Sequence, residues 1–507
     1  MARVHFLTPA WVLCLLAVAS GALVAAAFLR FWLYPLAWLA LVPLIVASWL
    51  AHSQRQAAWL GWLAGVATNL PAFYWLVYTI RVFGGFPYPV ALFFYLVLTA
   101  FTALQFALFA WFVRVARGRP LWGLVPAAGW VVLEFFYPNL FPWRLANSQM
   151  EALRLIQSGD FAGPYLLSFA MVWVAAALAL LLLSGTWKPL LAAGALVAGL
   201  WLYGQWRLVA IDQAMQGAPV LRVALVQGNV GIEEKGDVRY FAVNLEKYRR
   251  LSDAVQDRVD LVVWPETVHQ HWIPTTETVL AGEANPFPEL RTSLIFGGLA
   301  YRPLNEEQAE QFNSAFWMQP GGVLRGRYDK RILMPFGEYI PGGSYFPAVY
   351  ALSPETGRFT RGESVRVFDL DGKGRIGQLI CFEDIVGSMP RWTTLAGAEV
   401  LVTILNDAWY GDSAAPYQHQ ALAIWRSIEN RRFLLRGSNT GVTSIVDAAG
   451  RVVAQGGLFT EEVVTGEARR LRIRSPYTVL GDWFPISALL FLGIWFFFLR
   501  RAKEHSE

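Results

Sequence analysis

Arg375-Ile-Gly-Gln-Leu-Ile-Cys381-Phe-Glu383-Asp384-Ile is the stretch on which the reading of this chain turns. Ile376, Leu379 and Ile380 make an apolar run that predicts a strand ending at Cys381, and a helical pattern opens with Glu383-Asp384. A cysteine at a strand-to-helix turn sits where helix N-terminal N–H groups lower a thiol pKa and leave the sulfur exposed. Burial as an inert side chain is the commonest fate of a free thiol. The reading of Cys381 therefore depends on its neighbours in the chain.

Upstream, Leu221-Arg-Val-Ala-Leu-Val-Gln227-Gly-Asn229 predicts a strand followed by a turn. Phe241, Leu245, Tyr248, Leu251 and Val255 recur at helical spacing and predict a helix over 237–257. Asp260-Leu-Val-Val-Trp264-Pro-Glu266 is nearly all apolar, the mark of a strand buried on both faces. Further strand signals lie at 293–300, 313–319, 375–381, 399–405 and 441–447, with a helix around 418–433. Strands and helices alternating in this way predict a layered α/β sandwich. Gly437-Ser-Asn-Thr-Gly441 lacks the central serine of a hydrolase elbow.

This block is set into a far more apolar chain. Of 507 residues, 55% are hydrophobic and only 16% charged, which excludes an ordinary soluble protein. The apolar residues concentrate in 9–208 and 484–499. The expected organisation is a membrane domain over 1–208 (about seven helices), a soluble domain over 209–482, and a last membrane helix with a short tail over 483–507. Candidate spans are 9–29, 32–51, 57–80, 88–113, 120–141, 164–184, 188–208 and 484–499, most of them near the roughly 20 apolar residues that cross a bilayer. With Arg3 and His5 before it, the first resembles a signal peptide, but it is long for one and more spans follow, so it is read as uncleaved.

Eight spans put both termini on one side. A cytoplasmic placement brings Arg3, Arg55, Arg114, Arg117, Arg119, Lys188, Arg500, Arg501 and Lys503 inside, against Arg30, Arg81, Arg144, Arg154 and Arg207 outside. The larger set inside satisfies the positive-inside bias and puts 209–482 outside the cytoplasm. The net charge of +5 is thus mostly a matter of topology and no argument for nucleic acid. Cys14 lies in the first span and Cys381 in the soluble block, so the two are not expected to pair. Glu134 is either a functional intramembrane carboxylate or an interfacial one. Pro43, Pro71 and Pro126 are candidate kinks.

Three strand ends carry a reactive group: Trp264-Pro-Glu266, Tyr328-Asp-Lys330 and Cys381-Phe-Glu383. Singly, Glu266 is a solvated strand-end carboxylate and Lys330 a surface lysine. Together they supply what covalent acyl chemistry requires, a nucleophile, a base and a cation for the oxyanion. His269-Gln-His271 is a weak metal signal, and this chemistry needs neither metal nor cofactor.

These motifs resemble the nitrilase superfamily, whose catalytic set is Glu, Lys and Cys in that order on an α-β-β-α sandwich. With its polytopic segment before the block and a final span after it, the whole chain resembles the apolipoprotein N-acyltransferase family of bacterial envelopes. The resemblance rests on Leu225-Val-Gln227-Gly-Asn229, Trp264-Pro-Glu266-Thr, Phe312-Asn313-Ser, Lys330 with Leu333-Met-Pro335-Phe-Gly-Glu338, Cys381-Phe-Glu383, Asn406-Asp407-Ala-Trp409-Tyr-Gly and Leu435-Arg-Gly-Ser-Asn439-Thr-Gly. Phe382 departs from it, standing where a tyrosine is expected.

The resemblance implies Glu266 as general base, Lys330 as transition-state stabiliser and Cys381 as nucleophile, with Glu338, Glu383 and Asn313 supporting. It also implies a two-step transfer. Cys381 takes a fatty acyl chain from a phospholipid such as phosphatidylethanolamine, and the α-amine of a diacylglyceryl-cysteine on an apolipoprotein then attacks the thioester. A monomer in the bacterial inner membrane, its catalytic domain facing the periplasm, is the expected setting. The aromatic, Gly/Pro-broken segment 334–359 is read either as a lid dipping into the bilayer surface or as a loop packed on its own domain. The rival function is a membrane-tethered amidase or nitrilase acting on a small C–N substrate.

Overall fold

The computed structural model describes residues 8–351, 353 and 356–504, with the side chains of 502–504 excepted; Arg3, His5 and the side chain of Lys503 lie outside it. The chain divides into two units, one comprising Met1–Tyr74, Leu92–Val209 and Val479–Glu507, the other Trp75–Ala91 and Ala210–Thr478.

Among the described residues, the helices Ala10–Leu29, Phe31–Leu50, Tyr88–Ala116, Tyr165–Ser184 and Trp483–Arg501 are long and apolar enough to cross a membrane. That is fewer than the eight spans expected. The run over 57–80 is interrupted: one helix ends at Ala72, just after Pro71, and a new one opens at Leu76. Proline lacks the N–H and crowds the preceding turn, so a helix ends readily there. The pair counts at most as one broken span. The run over 120–141 yields only the 12-residue helix Val125–Phe136, because Tyr137, Pro138 and Pro142 follow. The run over 188–208 lies in the 29-residue helix Lys188–Gln216, which is not among the five. Its Arg207 pairs with the buried Asp160 at 2.7 Å.

Pro126 opens a helix rather than kinking one, and Pro43 follows a break at Leu41 inside the stretch Phe31–Leu50, as suits a residue without an N–H. Glu134 also finds its explanation. One carboxylate oxygen, buried, accepts from the indole of Trp130 (2.6 Å), the backbone N–H of Leu145 (2.7 Å) and the hydroxyl of Ser168 (3.2 Å). It ties together three segments whose donors would otherwise be unpaired in an apolar interior.

The second unit is an α-β-β-α sandwich. Its strands are β1 (Val220–Gln227), β2 (Leu261–Val263), β3 (His269–Pro274), β4 (Ser293–Pro303), β5 (Ala309–Gln319), β6 (Val323–Asp329), β7 (Val367–Asp369), β8 (Arg375–Ile380), β9 (Val400–Leu405), β10 (Phe433–Ser438), β11 (Ser444–Val446), β12 (Val452–Gln455) and β13 (Glu462–Arg469). One sheet runs β13-β1-β2-β4-β5-β6, with β3 beside β4, and the other β12-β11-β10-β9-β8-β7. The central pairs β1–β2, β2–β4, β8–β9 and β9–β10 are parallel. Their residues are buried on both faces, which accounts for the continuous apolar runs. The inner faces meet where Gly437 of β10 approaches Val263 of β2: an added Cβ would lie 3.2 Å from the valine.

Outside the first sheet, the helix Phe241–Asp253 packs Tyr248 against Trp264, ring centroids 5.5 Å apart. Outside the second lies the almost wholly buried helix Ala415–Asn430. That helix ends earlier than its sequence pattern suggests. Arg431 turns left-handed (φ 52°) and the apolar Phe433-Leu-Leu run becomes β10, a strand absent from the expected set.

The segment Trp75–Ala91 joins this unit although membrane helices flank it in sequence. Phe83 stacks on Trp409 at 3.6 Å, and Trp75 packs edge-on to Tyr410 at 5.0 Å and donates to Gln418 at 2.9 Å.

Candidate active site

Glu266, Lys330 and Cys381 all follow the ends of strands, two of them within the parallel cores, where α/β folds place chemistry. Glu266 lies three residues beyond β2. Its backbone is set by Gly297 of β4: a Cβ there would fall 2.5 Å from the Pro265 carbonyl oxygen and 2.6 Å from Glu266 Cα. Only glycine permits this approach, and its N–H donates to the Pro265 carbonyl at 3.1 Å.

Asn313, in β5, donates both amide hydrogens to carboxylates, to Glu266 Oε1 at 2.7 Å and to Glu338 Oε1 at 2.8 Å. Lys330, only 2% exposed, approaches Glu338 Oε2 at 2.8 Å and Glu266 Oε1 at 3.5 Å. Burial disfavours its ammonium, yet Glu338 and Glu266 outweigh burial and hold the lysine pKa above its usual value.

The two carboxylates differ in what they have left to offer. Both oxygens of Glu338 are engaged, Oε1 by Asn313 and Oε2 by Lys330 and the N–H of Met334 (2.7 Å). Glu266 meets Asn313 and Lys330 through Oε1 alone. Its Oε2 has no hydrogen-bond partner among the described residues. Glu338 is thus equipped as a brace and Glu266 as a proton acceptor, a distinction that residue types alone leave undecided.

Cys381 follows β8 and opens a short 3-10 turn, Cys381–Ile385. Its backbone is left-handed at φ 49°, a conformation that costs a non-glycine residue about 1–3 kcal/mol and clusters at functional sites. As a whole residue Cys381 is partly exposed. Burial raises its pKa well above the ordinary thiol value, Glu266, Asp407 and Glu338 add to the rise, and Lys330 opposes it. This reverses the expectation that the turn lowers the thiol pKa. A five-residue 3-10 turn offers little dipole, and burial, with three carboxylates added, outweighs it. The shift favours the protonated thiol.

Glu383 is wholly buried and serves as a clamp. It accepts from the Tyr328 hydroxyl (2.7 and 2.8 Å) and from the N–H groups of Arg331 (2.7 Å), Ile332 (3.0 Å) and Ile380 (2.9 Å). Those donors flank Lys330 and precede Cys381, so one carboxylate fixes both. Burial raises its pKa, against the lowering effect of its hydrogen bonds.

Three further groups in this unit carry charge or proton chemistry that sequence reasoning left unassigned. Asp384 and Asp407 sandwich His419, each at 2.9 Å, and Arg436 also holds Asp384 at 3.0 Å. Burial disfavours the imidazolium, but the two aspartates carry the His419 pKa up to about 9. The buried Tyr410 feels the charges of Cys381, Asp407 and Glu266. Lys235 donates to the Glu266 carbonyl at 2.8 Å. Its turn, rich in glycine and glutamate, has no periodicity to flag it. His269, by contrast, is a core residue whose ring packs against Phe296; burial, then His271 and Arg249, push its pKa down to about 4.

The sandwich and its acid–lysine–cysteine cluster define a carbon-nitrogen hydrolase unit, and the carbon-nitrogen hydrolase family model matches residues 222–475. The model of the apolipoprotein N-acyltransferase N-terminal domain matches residues 20–177. Over nearly its whole length the chain is similar to the apolipoprotein N-acyltransferase of Geobacter metallireducens, at 35% identity covering 93% of this chain and 92% of the relative. It is 33% identical to that of Azotobacter vinelandii, covering 98% and 97%, and 32% identical to that of Pseudomonas paraeruginosa, covering 98% of each. The chain belongs to the apolipoprotein N-acyltransferase family, and it is a membrane-bound acyltransferase with a nitrilase-like domain.

Proposed function

We propose that Cys381 carries the acyl group as a thioester between a phospholipid donor, phosphatidylethanolamine in the first instance, and the α-amine of a diacylglyceryl-cysteine at the N-terminus of an apolipoprotein. The observation that carries the reading is the free Oε2 of Glu266, whose Oε1 is held by Asn313 and Lys330 while both oxygens of the neighbouring Glu338 are engaged.

Glu266 Oε2 takes the Cys381 proton as sulfur attacks the donor's ester carbonyl carbon. Lys330, held charged by two carboxylates, stabilises the oxyanion. The intermediate collapses with loss of the lysophospholipid alkoxide, which takes the proton back from Glu266. The acceptor amine then attacks the thioester, Glu266 receives its proton, and the departing thiolate regains it. Asn313 and Glu338 keep Glu266 and Lys330 in register, and Glu383 keeps Lys330 and Cys381 so.

The segment 334–359 supports a lipid substrate. Its base is part of the site through Glu338, while Tyr345 and Phe346 are 84% and 70% exposed, unusual for large aromatic side chains facing water. We read it as a lid that inserts into the bilayer surface. The enzyme acts as a monomer in the bacterial inner membrane, with this unit on the periplasmic side, where its acceptors are displayed.

The test is to incubate purified protein with labelled phosphatidylethanolamine and to look by mass for an adduct on Cys381, with Cys381→Ala and Cys381→Ser beside it. The reading requires a hydroxylamine-sensitive thioester, absent from the alanine variant and discharged by a diacylated lipopeptide. Folded protein that forms no adduct with any phospholipid refutes it.

A further inference from the structure

The site holds a second lysine that the steps above do not use. Lys235 lies on the turn between β1 and the helix Phe241–Asp253, and its half-buried ammonium donates to the carbonyl of Glu266 at 2.8 Å. This turn is anchored at several points. Asn439 accepts from the N–H of Val230 at 2.9 Å and donates to the Val230 carbonyl at 2.8 Å, the Lys235 N–H bonds the Gly231 carbonyl at 3.0 Å, and Gln270 accepts from the Gly236 N–H at 3.1 Å. The lysine is therefore presented in one place.

Its partners set it apart from Lys330, which is ion-paired with Glu338 and Glu266. Lys235 forms no ion pair among the described residues, although Glu233 and Glu234 precede it; Glu234 faces Lys247 instead, at 3.9 Å. Of its three N–H donors, only one is engaged. Burial lowers its pKa to about 8, against the raising charges of Glu266 and Cys381, so a bound anion would restore full protonation. A half-buried ammonium with two free donors beside a reacting centre is a site for an anion.

We propose that Lys235 binds the phosphodiester of the acyl donor and makes the enzyme selective for phospholipid over neutral acyl esters. The inference rests on the acyltransferase reading. In a glycerophospholipid a single glycerol unit separates the reacting ester from the phosphate, so a cation bonded to the base's own backbone lies within reach of the phosphate while the ester meets Cys381. The carbonyl of Glu266 orients the ammonium, and the phosphate oxygens accept its remaining hydrogens.

The experiment compares Cys381 acylation from phosphatidylethanolamine and from a neutral p-nitrophenyl fatty ester in mixed micelles, for the wild type, Lys235→Met and Lys235→Arg. In Lys235→Met, kcat/KM for the phospholipid should fall about ten-fold or more beyond any fall for the neutral ester, the loss of one charge-assisted hydrogen bond. Lys235→Arg should recover most of the difference. Soluble glycerophosphoethanolamine should compete with the phospholipid in the wild type and do so less well in Lys235→Met. Equal losses on both donors would assign Lys235 to holding Glu266 and overturn the proposal, as would unchanged use of the phospholipid. Wild-type protein acylated by neither donor would instead refute the acyltransferase reading.

Discussion

Replacing Glu383 with glutamine tests whether one buried carboxylate holds the site together. Its Oε1 accepts from Tyr328, Arg331 N–H and Ile332 N–H, and its Oε2 from Tyr328 and Ile380 N–H. Glutamine keeps one acceptor oxygen and presents an NH2 where the other stood. In the better orientation the NH2 replaces Oε2, and Ile380 N–H loses its acceptor; in the worse, Arg331 and Ile332 both do. A buried donor left unsatisfied costs about 1–3 kcal/mol, and the surviving bonds lose their charge assistance at about 1 kcal/mol. The expected total is about 2–4 kcal/mol. Expressed as displacement of Lys330 and Cys381 rather than as unfolding, that corresponds to a fall of about 30- to 1000-fold in the rate of Cys381 acylation. The assay is single-turnover acyl-enzyme formation followed by mass, with the apparent melting temperature in detergent measured alongside. Tyr328→Phe, which removes a donor and leaves the backbone contacts, should show a smaller fall. If Glu383→Gln acylates within about two-fold of the wild type at unchanged melting temperature, the clamp argument is wrong.

His419 sits between Asp384 and Asp407, and its pKa of about 9 stands above the ordinary 6.5. Its stabilisation is therefore fully present below pH 6.5 and disappears as pH rises through 9, amounting to on the order of 3 kcal/mol. His419→Gln should flatten the pH dependence of the melting temperature over that window; an unaltered curve would exclude the charged sandwich. Gly297→Ala forces a Cβ to within 2.6 Å of Glu266 Cα, and overpacking of about 1–3 kcal/mol at the base should lower acylation by about 5- to 150-fold. Normal kinetics in a folded Gly297→Ala protein would remove the glycine from the account. Replacing Tyr345 and Phe346 with serine should slow acylation from phospholipid in vesicles and spare that from a short-chain lipid in detergent. Equal rates in vesicles would show the lid to be an ordinary loop.

Much of this unit could be read before its coordinates, for a physical reason. Parallel strands buried on both faces leave unbroken apolar runs, and Leu261-Val-Val and Val400-Leu-Val-Thr-Ile-Leu stand out. Reactive residues at strand ends then fall at predictable places. What escaped is what depends on geometry between segments. Phe433–Ser438 looked like the end of a helix because only the left-handed backbone of Arg431 separates the two elements. Glu266 and Glu338 are equivalent as residue types and differ only in which oxygens are occupied. The direction of the Cys381 pKa depends first on its burial and then on Glu266, which comes from another strand end. Lys235 gave no signal, since a lysine among glycines and glutamates reads as solvent-facing turn. In the membrane part, hydropathy gave no sign of the interruption at Ala72–Leu76, which splits the run over 57–80 into two helices.

That interruption bears on how such enzymes can be recombined. Since Trp75–Ala91 is structurally part of the unit that carries Cys381, the natural module is discontinuous in the gene. A chimera joined at residue 209 would inherit a foreign version of the segment that stacks on Trp409 and holds Gln418. Exchanges between relatives should therefore move 75–91 and 210–478 together. Substitutions at Phe83 and Trp409 should likewise track each other across the family, although more than three hundred positions separate them.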